Sequence, residues 1–214
     1  MTQLEGVVKF HMEFTPGPAL AYDGLRELNA WRRILYMTGL IGEDPDRYGG
    51  FGYGNVSMRL NQLSGCGQSC FAISGTQTGG LAHLTEAHYA IVQECWPDEN
   101  RVVATGPIKP SSESLTHGMI YNLDRNTRYV LHIHSPEIWG NAQVLKLPTT
   151  RADAAYGTPA MAEEVRRLFN ETDVRRYSVF AMGGHEHGVV AFSHSAAQAG
   201  SILMEYLALA LACN

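Results

Sequence analysis

Apolar residues repeat every three to four positions in some stretches of the chain and form short alternating runs in others, which predicts interleaved helices and strands. Leu25, Leu28, Trp31, Ile34 and Leu35, with Arg26, Glu27, Arg32 and Arg33 between them, predict an amphipathic helix over 19–39 that stops near Gly39. Gly49, Gly50, Gly52 and Gly54 lead to a strand at 55–60. A turn-rich loop then reaches a strand at 70–73, closed by the glycine loop Ser74-Gly75-Thr76-Gln77-Thr78-Gly79-Gly80. Thr85 reads as the cap of a short helix through Cys95, and Pro97-Asp98-Glu99-Asn100 as the turn before a strand at 101–104. Leu115, Met119, Ile120 and Leu123 predict a helix opened by Lys109-Pro110-Ser111-Ser112-Glu113. A strand over 128–136 follows, then a helix to about Leu145, a loop through Asp153 and a helix over 159–169 capped by Thr158. Strands at 177–182 and 188–192 precede a final helix capped by Ser195, with Ile202, Leu203, Tyr206, Leu207 and Leu211 as its apolar stripe. Residues 1–18 are expected to be an irregular lead-in, broken by Pro16-Gly17-Pro18, and 19–214 the folded domain.

At 214 residues the chain is long enough to bury a full core as one α/β domain. A net charge of −5 with no basic run gives no support for a nucleic-acid or membrane-surface partner, so any anionic ligand must be held by local groups. No apolar run approaches the ~18 residues of a membrane span. Cys66 and Cys70 read as ordinary thiols. With Cys95 and Cys213, and no charged-then-apolar leader, they suggest a reducing cytoplasmic setting.

Against this pattern the run Arg128-Tyr-Val-Leu-His-Ile-His-Ser-Pro136 stands out. Strand alternation puts His132 and His134 on one face, where they can grip one metal ion. His185-Glu186-His187 is the other dense histidine cluster. His187, nearest the following strand, is the preferred third ligand, with His185 the alternative. Glu113, in the first turn of its helix, is the best placed carboxylate to complete the set or carry a proton. Gly54-Asn55, Ser74-Gly75-Thr76 and Ser111-Ser112 bring hydroxyls, amides and a helix start to turns, and together could cradle a phosphate.

Taken in order, Gly54-Asn55-Val56-Ser57-Met58-Arg59, Ile73-Ser74-Gly75-Thr76, Lys109-Pro110-Ser111-Ser112-Glu113, His132-Ile133-His134-Ser135 and His187-Gly188-Val189-Val190 resemble the class II aldolase/adducin family over about residues 20–210. The resemblance implies a single domain with a central, mostly antiparallel sheet flanked by helices, assembled as a homotetramer with sites between subunits. It implies a metal-dependent lyase of carbohydrate metabolism that cleaves a C–C bond in a phosphorylated ketose or sugar acid through a metal-stabilised enediolate. The family also contains 4-epimerases, decarboxylases, dehydratases and the non-catalytic adducin head domain. By the resemblance Gly54, Asn55, Ser74, Gly75, Thr76, Ser111 and Ser112 hold the substrate phosphate. His132, His134, His187 and Glu113 hold the ion, most simply Zn2+, with Co2+, Mn2+ or Fe2+ as alternatives. Glu113 doubles as catalytic acid/base, and Asp153 or Tyr156 is the second. Glu186 departs from the family pattern, which often has asparagine there.

Overall fold

The computed structural model describes residues 7–60 and 70–213. In chain order its elements are β1 (His11–Pro16), α1 (Leu25–Met37), β2 (Gly42–Glu43), β3 (Gly52–Tyr53), β4 (Asn55–Arg59), β5 (Phe71–Ser74), β6 (Tyr89–Trp96) and β7 (Arg101–Gly106). After them come α2 (Ser114–Leu123), β8 (Tyr129–His134), α3 (Pro136–Gly140), α4 (Pro159–Glu171), α5 (Val174–Tyr177), β9 (Val179–Ala181), β10 (Gly188–Ser193) and α6 (Ala196–Leu211). Eight strands form one sheet in the order β1-β7-β6-β5-β4-β8-β10-β9, and β2 pairs with β3 apart from it. Every pairing in the large sheet is antiparallel except β1 with β7.

The sheet is covered on both faces, so its central strands are buried throughout. Leu131 and Ile133 of β8, Val56 of β4 and Val189 of β10 pack with Leu25, Leu28 and Leu35 of α1 and Leu203 of α6. Val130 and Val190 instead join Leu115 and Met119 of α2 and Val165 and Leu168 of α4 on the opposite face. Alternation along β8 therefore decides which layer each side chain serves.

The structure corrects several expectations, among them that of a helix reaching Leu145, since α3 ends at Gly140. Residues 11–16 are not an irregular lead-in: they form β1, whose Pro16 ends the strand at the sheet's edge, where a missing N–H is tolerated. The helix expected from Thr85 to Cys95 is a single 3-10 turn, Glu86–His88, followed by the eight-residue strand β6. Pairing of β6 between β5 and β7 outweighs local propensity there. The strand expected from Tyr177 starts only at Val179, because Tyr177 closes α5 and Ser178 turns the chain with φ 56°. Cys70 is disulfide-bonded rather than an ordinary thiol, while Cys66 lies outside the described residues.

Candidate functional site

The site grows from β8. Its pairing sets His132 opposite Asn55 of β4 on one side and Val190 of β10 on the other, and sets His134 opposite Gly188. Both imidazoles are buried, at 0% and 2% exposure. The backbone carbonyl of Val189 lies 3.3 Å from His132 Nδ1 and can only accept, so that nitrogen carries the proton and Nε2 is left as the lone-pair donor. A third imidazole closes on the pair, and it belongs to His185. The three histidines are buried, and each offers a ligand atom within 4.8 Å of the others. Glu113, at the N-cap of α2 and 1% exposed, brings Oε1 to 3.4 Å from His185 Nδ1. Three imidazoles and one buried carboxylate form the nitrogen-and-oxygen donor set that suits zinc and related divalent ions.

His187, the preferred ligand from sequence, points elsewhere. It adopts φ 63°, so strand alternation does not extend back from Gly188 to it. Its Nδ1 meets the Tyr48 hydroxyl at 2.7 Å, and its ring lies 5.7 Å from that of Trp139. Burial holds its pKa below the ordinary histidine value. His185 gains the inner position from two consecutive tight turns, His185 N–H to Met182 O at 3.1 Å and Gly188 N–H to His185 O at 2.9 Å. Gly183 and Gly184 allow this, since a Cβ on Gly183 would collide with Thr150 O and one on Gly184 with Ala154 O.

The two candidate second acids are separated by the same loop. Tyr156 is fully buried, and its ring stacks on His185 at 4.4 Å with Lys9 Nζ 3.5 Å over the centre of its ring. Asp153 is exposed. Glu164 of α4 braces this loop by accepting from Arg151 N–H at 2.8 Å while bonded to Arg167. Gly157, at φ 65°, lets the chain pass against Ser112, whose carbonyl would be 2.6 Å from a Cβ.

Six of the seven expected phosphate residues, Gly54, Asn55, Gly75, Thr76, Ser111 and Ser112, line one cleft together with Gly52, Gln77, Thr78 and Gly79, whereas Ser74 is buried outside its wall. An isolated bridge between Gly75 and Pro110 draws the glycine loop to the start of α2. Gly54 is required at the cleft floor: it has φ 75°, and a Cβ would meet Ile41 Cγ1 at 2.6 Å. Two expected amide donors are, however, spent on the fold, and two expected hydroxyls are engaged there as acceptors. The amides of Gly75 and Thr76 bond to His88 O and Lys109 O, Ser74 Oγ accepts from Val56 N–H, and Ser111 Oγ accepts from Glu113 N–H. Sequence reasoning missed Tyr48 and Tyr53, whose rings lie 4.6 and 5.4 Å from that of His134. It also placed Arg32 on a polar helix face, yet its guanidinium is buried behind the glycine loop. Tyr48 sits in a glycine-rich turn with no periodicity, so no local signal could have found it.

The family profile of the Class II Aldolase and Adducin N-terminal domain matches residues 46–212. No curated protein matches the chain in sequence. Among solved structures, an L-fuculose-1-phosphate aldolase from Thermus thermophilus superposes with a TM-score of 0.61 at 18% identity, covering 88% of this chain and 91% of its own. A sugar-phosphate aldolase from Thermotoga maritima gives 0.62 at 16% identity, over 88% and 94%. The N-terminal class II aldolase domain of a conserved protein from Thermoplasma acidophilum gives 0.58 at 15%, over 91% and 94%. At these identities the likeness is one of fold.

Proposed function

Since the chain belongs to the Class II Aldolase and Adducin N-terminal domain family, we propose that it is a divalent-metal-dependent lyase acting on a phosphorylated ketose or sugar acid. The observation that carries this is the buried cluster of His132, His134 and His185, with Glu113 beside it, one strand pairing away from Asn55 in the anion cleft. His132, His134 and His185 would hold the ion, with Glu113 as fourth donor in the absence of substrate. When bound, a divalent ion supplies Lewis-acid polarisation of a substrate carbonyl and its neighbouring hydroxyl.

The protein's own groups supply the rest. The cleft orients the phosphate end of the substrate, so that the reacting carbons lie toward β8 rather than toward solvent. Glu113 is the residue that takes or returns the proton next to the carbonyl. Its burial favours transfer, because water does not compete for the carboxylate. Tyr156 packs the back of His185 and keeps that ring fixed, while Tyr48 and Tyr53 wall the His134 side. Asp153 serves a neighbouring subunit's site in a homotetramer. Aldol cleavage is the first expectation, with 4-epimerisation, decarboxylation and dehydration as alternatives that differ in which proton, carbon fragment or water departs next to the polarised carbonyl.

Metal analysis by plasma emission tests the site. About one zinc-like ion per chain is expected, lost in His132→Ala and His185→Ala and kept in His187→Ala. A protein that is metal-free and cannot be reloaded points to an adducin-like domain and overturns the enzyme reading. Incubation with a panel of phosphorylated ketoses and sugar acids, with mass-spectrometric detection, then distinguishes dihydroxyacetone phosphate plus aldehyde from epimer, carbon dioxide or water loss.

A further inference from the structure

Arg32 lies on α1, outside the family-like motifs, yet its side chain is 2% exposed. Its guanidinium donates to three carbonyls of one loop: Thr78 O at 2.9 Å, Gly79 O at 2.7 Å and Leu81 O. No carboxylate is bonded to it among the described residues. A buried cation held only by neutral groups, these carbonyls and the Tyr36 ring 5.2 Å from it, is costly, and burial accordingly lowers its pKa from the ordinary arginine value. Such an arrangement is rational where an anion is expected nearby.

The direction of the peptides locates that anion. In a planar trans peptide, the carbonyl of one residue and the N–H of the next point opposite ways. Holding Thr78 O and Gly79 O against the guanidinium therefore turns the amides of Gly79 and Gly80 away from it. Both nitrogens lie close to Gly52, where a Cβ would be 3.1 Å from Gly79 N and 3.2 Å from Gly80 N. Neither amide donates to an acceptor among the described residues. Gly52 and Gly79 line the anion cleft, and Glu43 Oε2, which would be 2.5 Å from a Cβ on Gly80, is the protein's own anion beside this loop.

We infer that Arg32 is a positioning residue for anion binding: it fixes the 78–81 loop so that the Gly79 and Gly80 amides, rather than the spent amides of Gly75 and Thr76, receive a phosphate oxygen. This rests on the phosphate-cleft reading above and assigns its donors. The residue touches no substrate and acts through the peptide groups it holds and through its charge behind them.

The test is calorimetric titration of inorganic phosphate into the metal-loaded protein at fixed low salt, with metal content recorded for each variant. Arg32→Met is expected to weaken phosphate binding on the order of tenfold or more while metal content stays unchanged. Arg32→Lys keeps the charge and most of the volume but not the three-carbonyl fork, and is expected to fall between wild type and Arg32→Met. Should Arg32→Met not fold, Arg32→Lys against wild type carries the comparison. Gly52→Ala, which fills the space before the two amides and leaves Arg32 untouched, is expected to lose phosphate to a similar degree. Undiminished phosphate binding in the folded Arg32 variants, with Gly52→Ala impaired, overturns the role of Arg32 and leaves the cleft standing. A wild-type protein that binds no phosphate removes the cleft reading and this proposal with it.

Discussion

His117 shows what a buried titratable side chain does when it takes no part in the site. It lies fully inside α2, with Nδ1 2.7 Å from Ser57 Oγ, which in turn meets Tyr121 OH at 2.8 Å. Burial lowers its pKa from 6.5 to about 3. Between those values the unfolded chain binds a proton that the folded one refuses, so stability is retained above pH 6.5 and falls as pH drops toward 3. The share of this one group is roughly 1.4 kcal/mol per pH unit across the window. His117→Gln, which can keep the bond to Ser57, is expected to flatten the acid limb of urea midpoints measured from pH 7 to 4. An unchanged slope would show that other groups set it. At this scale the closeness of His132, His134 and Glu113 was readable, because strand alternation and a helix start constrain where such side chains go. The packing of Tyr156 behind His185 was not, because it sits in a loop. Nor was the choice of His185 over His187, since a left-handed φ at one residue reverses the outcome and nothing in the local residue types announces it.

Among the elements, the turn between β9 and β10 shapes the three-histidine cluster more than its length suggests. Gly183 N–H bonds to Thr150 Oγ1 at 2.9 Å, and Gly184 passes so close to Ala154 O that no Cβ fits between them. Gly184→Ala must push the turn off the 150–155 loop, at a cost of about 1–3 kcal/mol. Because His185 is the next residue, metal affinity is expected to fall much more than helix content, measured by zinc titration alongside circular dichroism. Equal loss of both would show that the turn is needed for the fold as a whole. The helices α1, α2, α4 and α6 were legible from their periodicity and caps. β6 was not, since its partners lie at β5 and β7 and no local pattern reports them. For the same reason β1 was hidden: its partner, β7, lies far along the chain.

For the whole molecule, the cluster lies between layers that only the complete fold brings together: β8, the β9–β10 turn and the start of α2. An ion that binds this arrangement and not the unfolded chain adds stability by mass action, about 4 kcal/mol at a free concentration a thousand times Kd. Thermal unfolding is therefore expected to shift upward with added zinc and back with a chelator in wild type, and not to move in His132→Ala. A shift that persists in His132→Ala would place the binding elsewhere. No described helix is long and apolar enough to cross a membrane.

The register of β8 has a last consequence. Leu131 and Ile133 enter one layer while His132 and His134 face the other, so a slip of one residue would drive both imidazoles into hydrocarbon and expose two aliphatic chains in the cleft. A misaligned strand could not assemble the three-histidine cluster. An ion bound by that cluster would thus proofread strand alignment, rewarding only the pairing in which Asn55 stands beside His132.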